Sequence, residues 1–421
     1  MSSPGIKAVK GTRDILPPSS AVWNHVERVA RDVFRAYNYG EIRTPIFEET
    51  QLFARGVGEE TDIVSKEMYT WEDRDGSSLT LRPENTASVI RSYIEHRMDQ
   101  QPGVRKLYYI GPMFRRERPQ KGRYRQFYQI GAEAIGSDTP ETDAEVIEMV
   151  SEILTRCGLS GFRILLNSVG CAECRPTFNA HLRERLAAVK DKLCNDCQRR
   201  ADINPLRVLD CKVPDDQPII DTLPTISDHL CAACRTHFDR VELLLSDRAI
   251  AYELKPRLVR GLDYYMRTTF EFVHGSLGAQ NSVLGGGRYD GLAQELGAKQ
   301  PAPGIGFSIG EDRLVMTLEE QNPTSVAEAL DLYIAPLGTE ALRHAAGLAH
   351  RLRGQGIRTE LGGDAKLKRA MEIANKLAAR HVLIVGENEM AAGQYALKDM
   401  ASGEQANLTL DELFERLRMA R

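Results

Sequence analysis

Within residues 114–128 (FRRERPQKGRYRQFY), Arg115, Arg116, Arg118, Lys121, Arg123 and Arg125 crowd around one carboxylate, Glu117. Guanidinium forks suit phosphate oxygens, because they offer planar, paired donors and keep their proton. The plainer reading of such a run is a solvated basic loop. Three other segments carry polar groups of the kind that chemistry uses. LTLRPENTA sets Glu84, Asn85 and Thr86 at a strand-to-helix turn, and LVRGLDYYMRT sets Arg260 near Tyr264 and Tyr265. GFSIGEDRL opens a helix with Arg313 after a strand of alternating glycines, a pattern that lets a ligand or another backbone approach closely. Gln129 and Glu133 follow directly on the basic run. Singly, each has an ordinary explanation. Glu84 could favour a helix dipole, the tyrosines could be sheet aromatics, and Arg313 could pair with Glu311 or Asp312. The combination carries the weight.

The elements that must position these groups are legible from periodicity. KLYYIGPM before the basic run and QIGAEAIG after it read as strands, and Pro119 and Gly122 break the run, so a β-hairpin is expected. Residues 21–37 space Val22, Val26, Val29, Val33 and Phe34 as an amphipathic helix. Hairpin-like pieces at 68–73 and 78–81 lead into a short helix after Pro83, and Thr139-Pro140 starts a helix through about residue 156. Strand patterns recur at 162–167, 249–254, 268–273 and 282–285. Residues 172–250 read mostly as helices, broken at Asn204-Pro205 and Val213-Pro214. A helical insertion therefore interrupts an antiparallel sheet, an α+β arrangement. QNPTS (321–325) reads as a linker. Beyond it, strands LYIAPL, IRTEL and HVLIVG alternate with helices at 339–353 and 367–379, a small α/β domain of roughly 95 residues. In the last helix Leu367, Ala370, Met371, Ala374 and Leu377 form the expected apolar stripe.

The chain has 421 residues, enough for two or three domains, and a formal net charge of −4, so a nucleic acid must be met by local basic patches. The start MSSPGIKAVKGTRDILPP shows no signal peptide, and no run of about 18 apolar residues appears, so a cytoplasmic protein without a membrane span is expected. Of eight cysteines, six form Cys-x-x-Cys pairs at 171/174, 194/197 and 231/234. In a reducing compartment these are not expected to form stable disulfides.

KGTRDILPP, TLRPE, FRRERPQKGRYRQF, VRGLDYY, GGGRYDGL and GFSIGEDRL, in this order, closely resemble the histidyl-tRNA synthetase family of class II aminoacyl-tRNA synthetases. The resemblance spans nearly the whole chain. It implies a class II catalytic domain over residues 1–325, an antiparallel sheet with flanking helices interrupted by an insertion at about 172–250. An α/β anticodon-binding domain would follow over 328–421. EIRTPIFE with Pro45 resembles the family's dimer-forming motif, which implies a homodimer. The implied reaction activates L-histidine with ATP and Mg²⁺, releases pyrophosphate and passes histidine to the 3′ end of tRNA(His).

By the same resemblance, Arg115 and Arg260 are the catalytic cations on the α-phosphate. Glu117, Arg123, Phe127 and Arg313 would complete the ATP site, with Phe127 against adenine. Glu84 and Thr86, with Asn85 between them, and Gln129 would hold the α-ammonium side of histidine. Glu133 and Tyr265, beside Tyr264, would bracket its imidazole. Arg116, Arg118 and Gln120 would meet the tRNA acceptor end. Asn85 and Asp312 depart from the family's glycine and glutamate. A Cys₄ zinc at Cys171, Cys174, Cys231 and Cys234 would staple the ends of the insertion. Cys194 and Cys197, with or without Cys211, form a competing set, and metal-free thiols are the third reading. The rival function is a non-catalytic, synthetase-like regulatory subunit of ATP phosphoribosyltransferase. The terminal α/β domain and the intact arginines speak against it.

Overall fold

The computed structural model describes residues 5–59, 61–277, 281–321 and 330–419; the expected linker, apart from Gln321, lies outside them. Contacts divide the chain into two compact units, residues 1–325 and 326–421.

In the first unit, α1 (Ser19–Ala36) turns Trp23, Val26, Ala30, Val33 and Phe34 to the core at helical spacing. Next come β1 (Gly40–Glu41), β2 (Phe47–Glu49), α2 (Thr50–Val57), β3 (Tyr69–Glu72), β4 (Ser78–Leu81) and α3 (Thr86–Glu95). The basic segment is the loop of a long hairpin, β5 (Arg105–Phe114) and β6 (Gln126–Ile135), followed by α4 (Pro140–Arg156) and β7 (Arg163–Ser168). The insertion contributes α5 (Cys174–Ala187), α6 (Asn195–Ile203), α7 (Gln217–Ile220) and α8 (Ala232–Asp247). Then β8 (Glu253–Leu254), β9 (Met266–Val273), β10 (Ser282–Arg288), α9 (Leu292–Glu295), β11 (Gly304–Gly310) and α10 (Glu311–Gln321) complete the unit.

Eight strands form one sheet in the order β1-β5-β6-β11-β10-β9-β7-β8, antiparallel except for the parallel edge pairs β1/β5 and β7/β8. β2, β4 and β3 make a separate three-stranded sheet. One face of the large sheet packs Ile130, Ala132, Phe270, Phe272, Ile305 and Phe307 against α1 and α4. Each large apolar side chain buried there is worth about 1.5–3 kcal/mol. The other face is left for the site. Among the described residues, no helix is long and apolar enough to cross a membrane.

The second unit holds a five-stranded mixed sheet, with strands Leu332–Pro336, Thr359–Leu361 and His381–Val385 parallel and Tyr395–Asp399 and Gln405–Leu408 antiparallel.

Two expectations need correction. The strand at 249–254 shrinks to Glu253–Leu254, because Ala249, at φ 54°, and Ile250 are spent closing α8. Their amides donate to Ser246 O and Leu245 O. The helix expected at 367–379 stops at Lys376. Ala370 and Ala374 are buried, but Leu367 and Leu377 stand in solvent at 39% and 45% exposure. Ala370 and Ala374 seat this helix close to its sheet with Met371 and Ile373 partly buried beside them, so Leu367 and Leu377 fall outside the contact.

A charged cluster locks the insertion and sheet together. Fully buried Arg288 places Nε 2.7 Å from Oδ1 of fully buried Asp143 and donates to Asp290 (2.9 Å), Ser137 O (2.8 Å) and Thr139 O (3.0 Å). His237 of α8 reaches the other Asp143 oxygen at 2.8 Å. Removing one partner strands a buried charge, a loss of about 3–5 kcal/mol. Arg288→Ala is therefore expected to lower the urea midpoint of the first unit substantially, and an unchanged midpoint would rule out this role.

Candidate active site

The central strand β6 shows why glycine recurs in these motifs. Gln129, Gly131 and Glu133 alternate onto one face. Gln129 is flanked across the sheet by Gly111 and Gly310, Gly131 by Tyr109 and Ser308, and Glu133 by Leu107 and Gly306. Beyond β11, Ser308 faces Gly285, which faces Glu271, while Gly306 faces Gly287 and then Thr269. This sheet face is thus cleared of side chains except at a few positions, most of them polar. The clearance is required: a β-carbon at Gly285 would overlap the Arg260 guanidinium, and one at Gly306 the Glu133 carboxylate.

Above this face lies a cavity of about 840 Å³, within the range of small-molecule sites. It brings together Glu84, Thr86, Arg115, Glu117, Arg123, Phe127, Gln129, Arg260, Tyr264, Tyr265 and Arg313 from segments far apart in sequence. The arginines are held in place. Arg115 donates to Pro83 O at 2.9 Å and lies over the Phe127 ring at 5.3 Å. Arg123 bonds Glu117 at 2.8 Å, and Arg260 bonds Glu271 at 3.0 Å. Arg313 donates to Ser282 O; burial and the neighbouring Arg123 lower its pKa. Two guanidiniums that oppose each other's charge mark a place suited to an anion.

Other groups lining the same cavity suit a small polar ligand. Glu84 accepts from the Thr86 and Ala87 amides at 2.7 and 3.0 Å, so it closes the first turn of α3 as well as lining the cavity. Burial raises its pKa, and an arriving ammonium would offset that. Gln129 is buried, and its Oε1 has no hydrogen-bond partner among the described residues. Burial pushes the Tyr265 hydroxyl up to about 12, so it stays a donor.

Two expected residues sit otherwise. Asn85 does not line the cavity; its Oδ1 accepts from Thr44 Oγ1 at 2.6 Å, behind the turn. Glu133 lies just beneath the cavity surface, 1% exposed, accepting from Tyr289 (2.6 Å) and Thr86 (2.8 Å), with Tyr109 only at 3.5 Å. Burial pushes its pKa up to about 8.

The basic loop is sorted by direction. Arg116, Arg118, Gln120 and Lys121 are exposed, while Glu117, Pro119 and Arg123 are at least partly covered. The amide of Arg125 donates to Gly11 O at 2.7 Å, and Arg13 pairs with Asp312 at 2.8 Å. Asp312 also accepts from the Tyr128 amide at 2.9 Å, so this departure from the family pattern anchors the hairpin base.

Sequence reasoning missed Glu271, Arg207, Tyr109 and Asp62 as cavity-lining residues. Glu271 had a signal, a lone carboxylate between Phe270 and Phe272 in a strand. Arg207 and Asp62 had none, since each reaches the site only through the packing of the insertion.

A family model described as histidyl-tRNA synthetase matches residues 11–314, and one described as an anticodon binding domain matches 331–419. A curated histidine–tRNA ligase of Solibacter usitatus is 70% identical over 98% of this chain and 99% of its own length. One of Koribacter versatilis is 58% identical over 97% of this chain and 95% of its own. The solved apo histidyl-tRNA synthetase of S. aureus superposes with a TM-score of 0.82 at 39% identity, covering 98% of this chain and all of that one. The chain belongs to the histidyl-tRNA synthetase family, with the class II antiparallel sheet and a C-terminal anticodon-binding domain.

Glu133 generates a pH test. Its pKa rises from an ordinary 4.5 to about 8 on folding. The stability of its neutral form is full below about pH 4.5 and is lost as pH rises through about 8. Glu133→Gln, which cannot ionise, should gain stability relative to the parent between pH 5 and 8. Urea midpoints that differ by the same amount at both pH values would contradict this.

Proposed function

We propose that this protein activates L-histidine with ATP to histidyl-adenylate and pyrophosphate and then transfers histidine to the 3′ end of tRNA(His). The observation that carries the reading is one cavity lined both by fixed arginines and by buried polar groups suited to a small zwitterion.

The attacking histidine carboxylate is ionised at neutral pH, so activation needs alignment and charge around the α-phosphate rather than a general base. In this reading Arg115 and Arg260 stabilise the negative charge on the α-phosphate oxygens as pyrophosphate departs. Arg123 and Arg313 hold the far phosphates, and Phe127 stacks on adenine. Mg²⁺ would neutralise phosphate charge, and Glu117 and Glu271 are among the cavity-lining carboxylates that offer the hard oxygen donors it prefers. Glu84 and Thr86 take the α-ammonium, with the open Gln129 Oε1 as a further acceptor. Glu133 Oε1 accepts from Thr86 at 2.8 Å and has only a long contact from Tyr109, so its second lone pair keeps acceptor capacity for an imidazole N–H. Tyr265 serves the other ring nitrogen. A side chain that leaves these buried groups unpaired is disfavoured by about 10⁴–10⁵. Arg116, Arg118 and Gln120, exposed on the hairpin loop, are the contacts for the acceptor end.

Three further elements belong to the same reading: a cytoplasmic location, a homodimer and a structural zinc. For the dimer, Ile46, Phe47 and Trp71 expose apolar surface on the small sheet, at 44%, 53% and 39%. A monomer mass by light scattering at micromolar concentration would remove the dimer. For the zinc, the sulfurs of Cys171, Cys174, Cys231 and Cys234 converge within 4.8 Å of one another.

Pyrophosphate exchange across the twenty amino acids should respond to histidine alone, and no exchange with histidine would end the proposal. In the same assay Arg260→Ala should lower turnover by about 10²–10³, the usual effect of losing one electrostatic stabiliser. An unchanged turnover would contradict the role given to Arg260.

A further inference from the structure

Cys194, Cys197, Cys211 and Asp216 form a second convergence in the insertion, separate from the cluster at Cys171 and its partners, with ligand atoms again within 4.8 Å of one another. Of the eight cysteines, only Cys157 stands outside the two clusters. We propose that Cys194, Cys197, Cys211 and Asp216 bind a zinc ion of their own, so that the insertion carries two metal centres, and that this second centre positions the wall of the active site.

The geometry matches the metal. A Zn–S distance of about 2.3 Å in a tetrahedral site puts neighbouring sulfurs about 3.8 Å apart. The Cys194 and Cys211 sulfurs lie 3.9 Å apart; in the first cluster the corresponding distances are 3.7 and 3.9 Å. Backbone donors also point at the sulfurs, as the groups that hydrogen-bond metal-bound thiolates do. The Val213 amide lies 3.4 Å from Cys211 Sγ, and in the first cluster the Cys231 amide lies 3.1 Å from Cys174 Sγ. Asp216 is 2% exposed, and its Oδ2 lies 3.1 Å from Cys211 Sγ. The Cys194 amide donates to the same carboxylate at 3.0 Å, a bond that orients it toward the sulfurs. A buried carboxylate beside three thiols is costly unless it is compensated, and a divalent cation would compensate it.

The placement gives the centre its function. Cys194 and Cys197 begin α6, Cys211 follows the 3₁₀ turn Pro205–Asp210, and Asp216 precedes α7. The ion would tie both ends of the segment that carries Asn204 and Arg207. Asn204 donates to Asp263 Oδ1 at 2.9 Å and Arg207 to Arg260 O at 2.7 Å. These are two of the contacts by which the insertion grips the Arg260–Tyr265 loop. Cys194, Cys211 and Val213 themselves line the cavity.

Elemental analysis of the full chain, expressed with zinc and never exposed to chelator, is expected to give two zinc ions per chain. Cys194→Ser/Cys197→Ser should remove one of them, and Cys171→Ser/Cys174→Ser the other. Zinc near zero overturns both centres. A single ion that survives Cys194→Ser/Cys197→Ser overturns the second centre and leaves the first. A single ion lost only in that variant supports the second and sinks the first. Should a variant fail to fold, cobalt loading of the unmodified chain decides. Two equivalents with thiolate-to-cobalt absorption are expected, and saturation at one equivalent or none overturns the two-centre proposal. All of these readouts are independent of histidine activation.

Discussion

A charged side chain can lie flat on a β-sheet only where the sheet has no β-carbons beneath it. That constraint shapes this site. Gly285 makes room for the Arg260 guanidinium, Gly306 for the Glu133 carboxylate, and Gly131 for the Tyr109 ring. Each glycine weakens its strand, because it packs no side chain and loses more entropy on folding. The sheet tolerates them because its opposite face carries Ile130, Phe270, Ile305 and Phe307, all fully or almost fully buried. The two faces of the same strands thus divide the work: one holds the fold together, and the other is kept low and polar.

Clearing the face brings charges close together in a partly buried space, where each needs a partner. Arg260 is held by Glu271, Arg123 by Glu117, and Arg115 by the Pro83 carbonyl. These bonds fix the guanidiniums before a ligand arrives, so little reorganisation remains for the reaction itself. They also explain how a chain with a net charge of −4 presents a dense cationic surface. The positive charge is local and braced by carboxylates that belong to the same site.

The large sheet, the hairpin and the second unit were legible because their strands and helices keep strict periods and their turns carry Pro or Gly. Arg115, Arg260, Arg313, Gln129 and Tyr265 were legible because their segments resemble known motifs. What was not legible depends on register and on packing between distant segments. Glu133 and Gln129 share a face of β6, yet only their cross-strand neighbours decide that Gln129 lines the cavity while Glu133 lies under Thr86. Asn85 sits between two cavity residues but turns to Thr44. The exposed Leu367 and Leu377 misled for a related reason, since Ala370 and Ala374, with partly buried Met371 and Ile373, seat that helix.

The loop Arg260–Tyr265 shows how these pieces depend on one another. Its arginine side chain is fixed from the sheet by Glu271, while its backbone and Asp263 are fixed from the insertion by Arg207 and Asn204. Arg175, next to Cys174, donates to the Tyr265 carbonyl. A hydrogen bond from a charged donor is worth about 1.5–3 kcal/mol, so the insertion supplies a substantial share of the energy that holds the loop. A misplacement of about 1 Å in such a segment can lower a rate by about 10². The insertion is therefore part of the cavity wall, and in the proposed reaction whatever stiffens it sharpens the aim of Arg260 without touching a substrate.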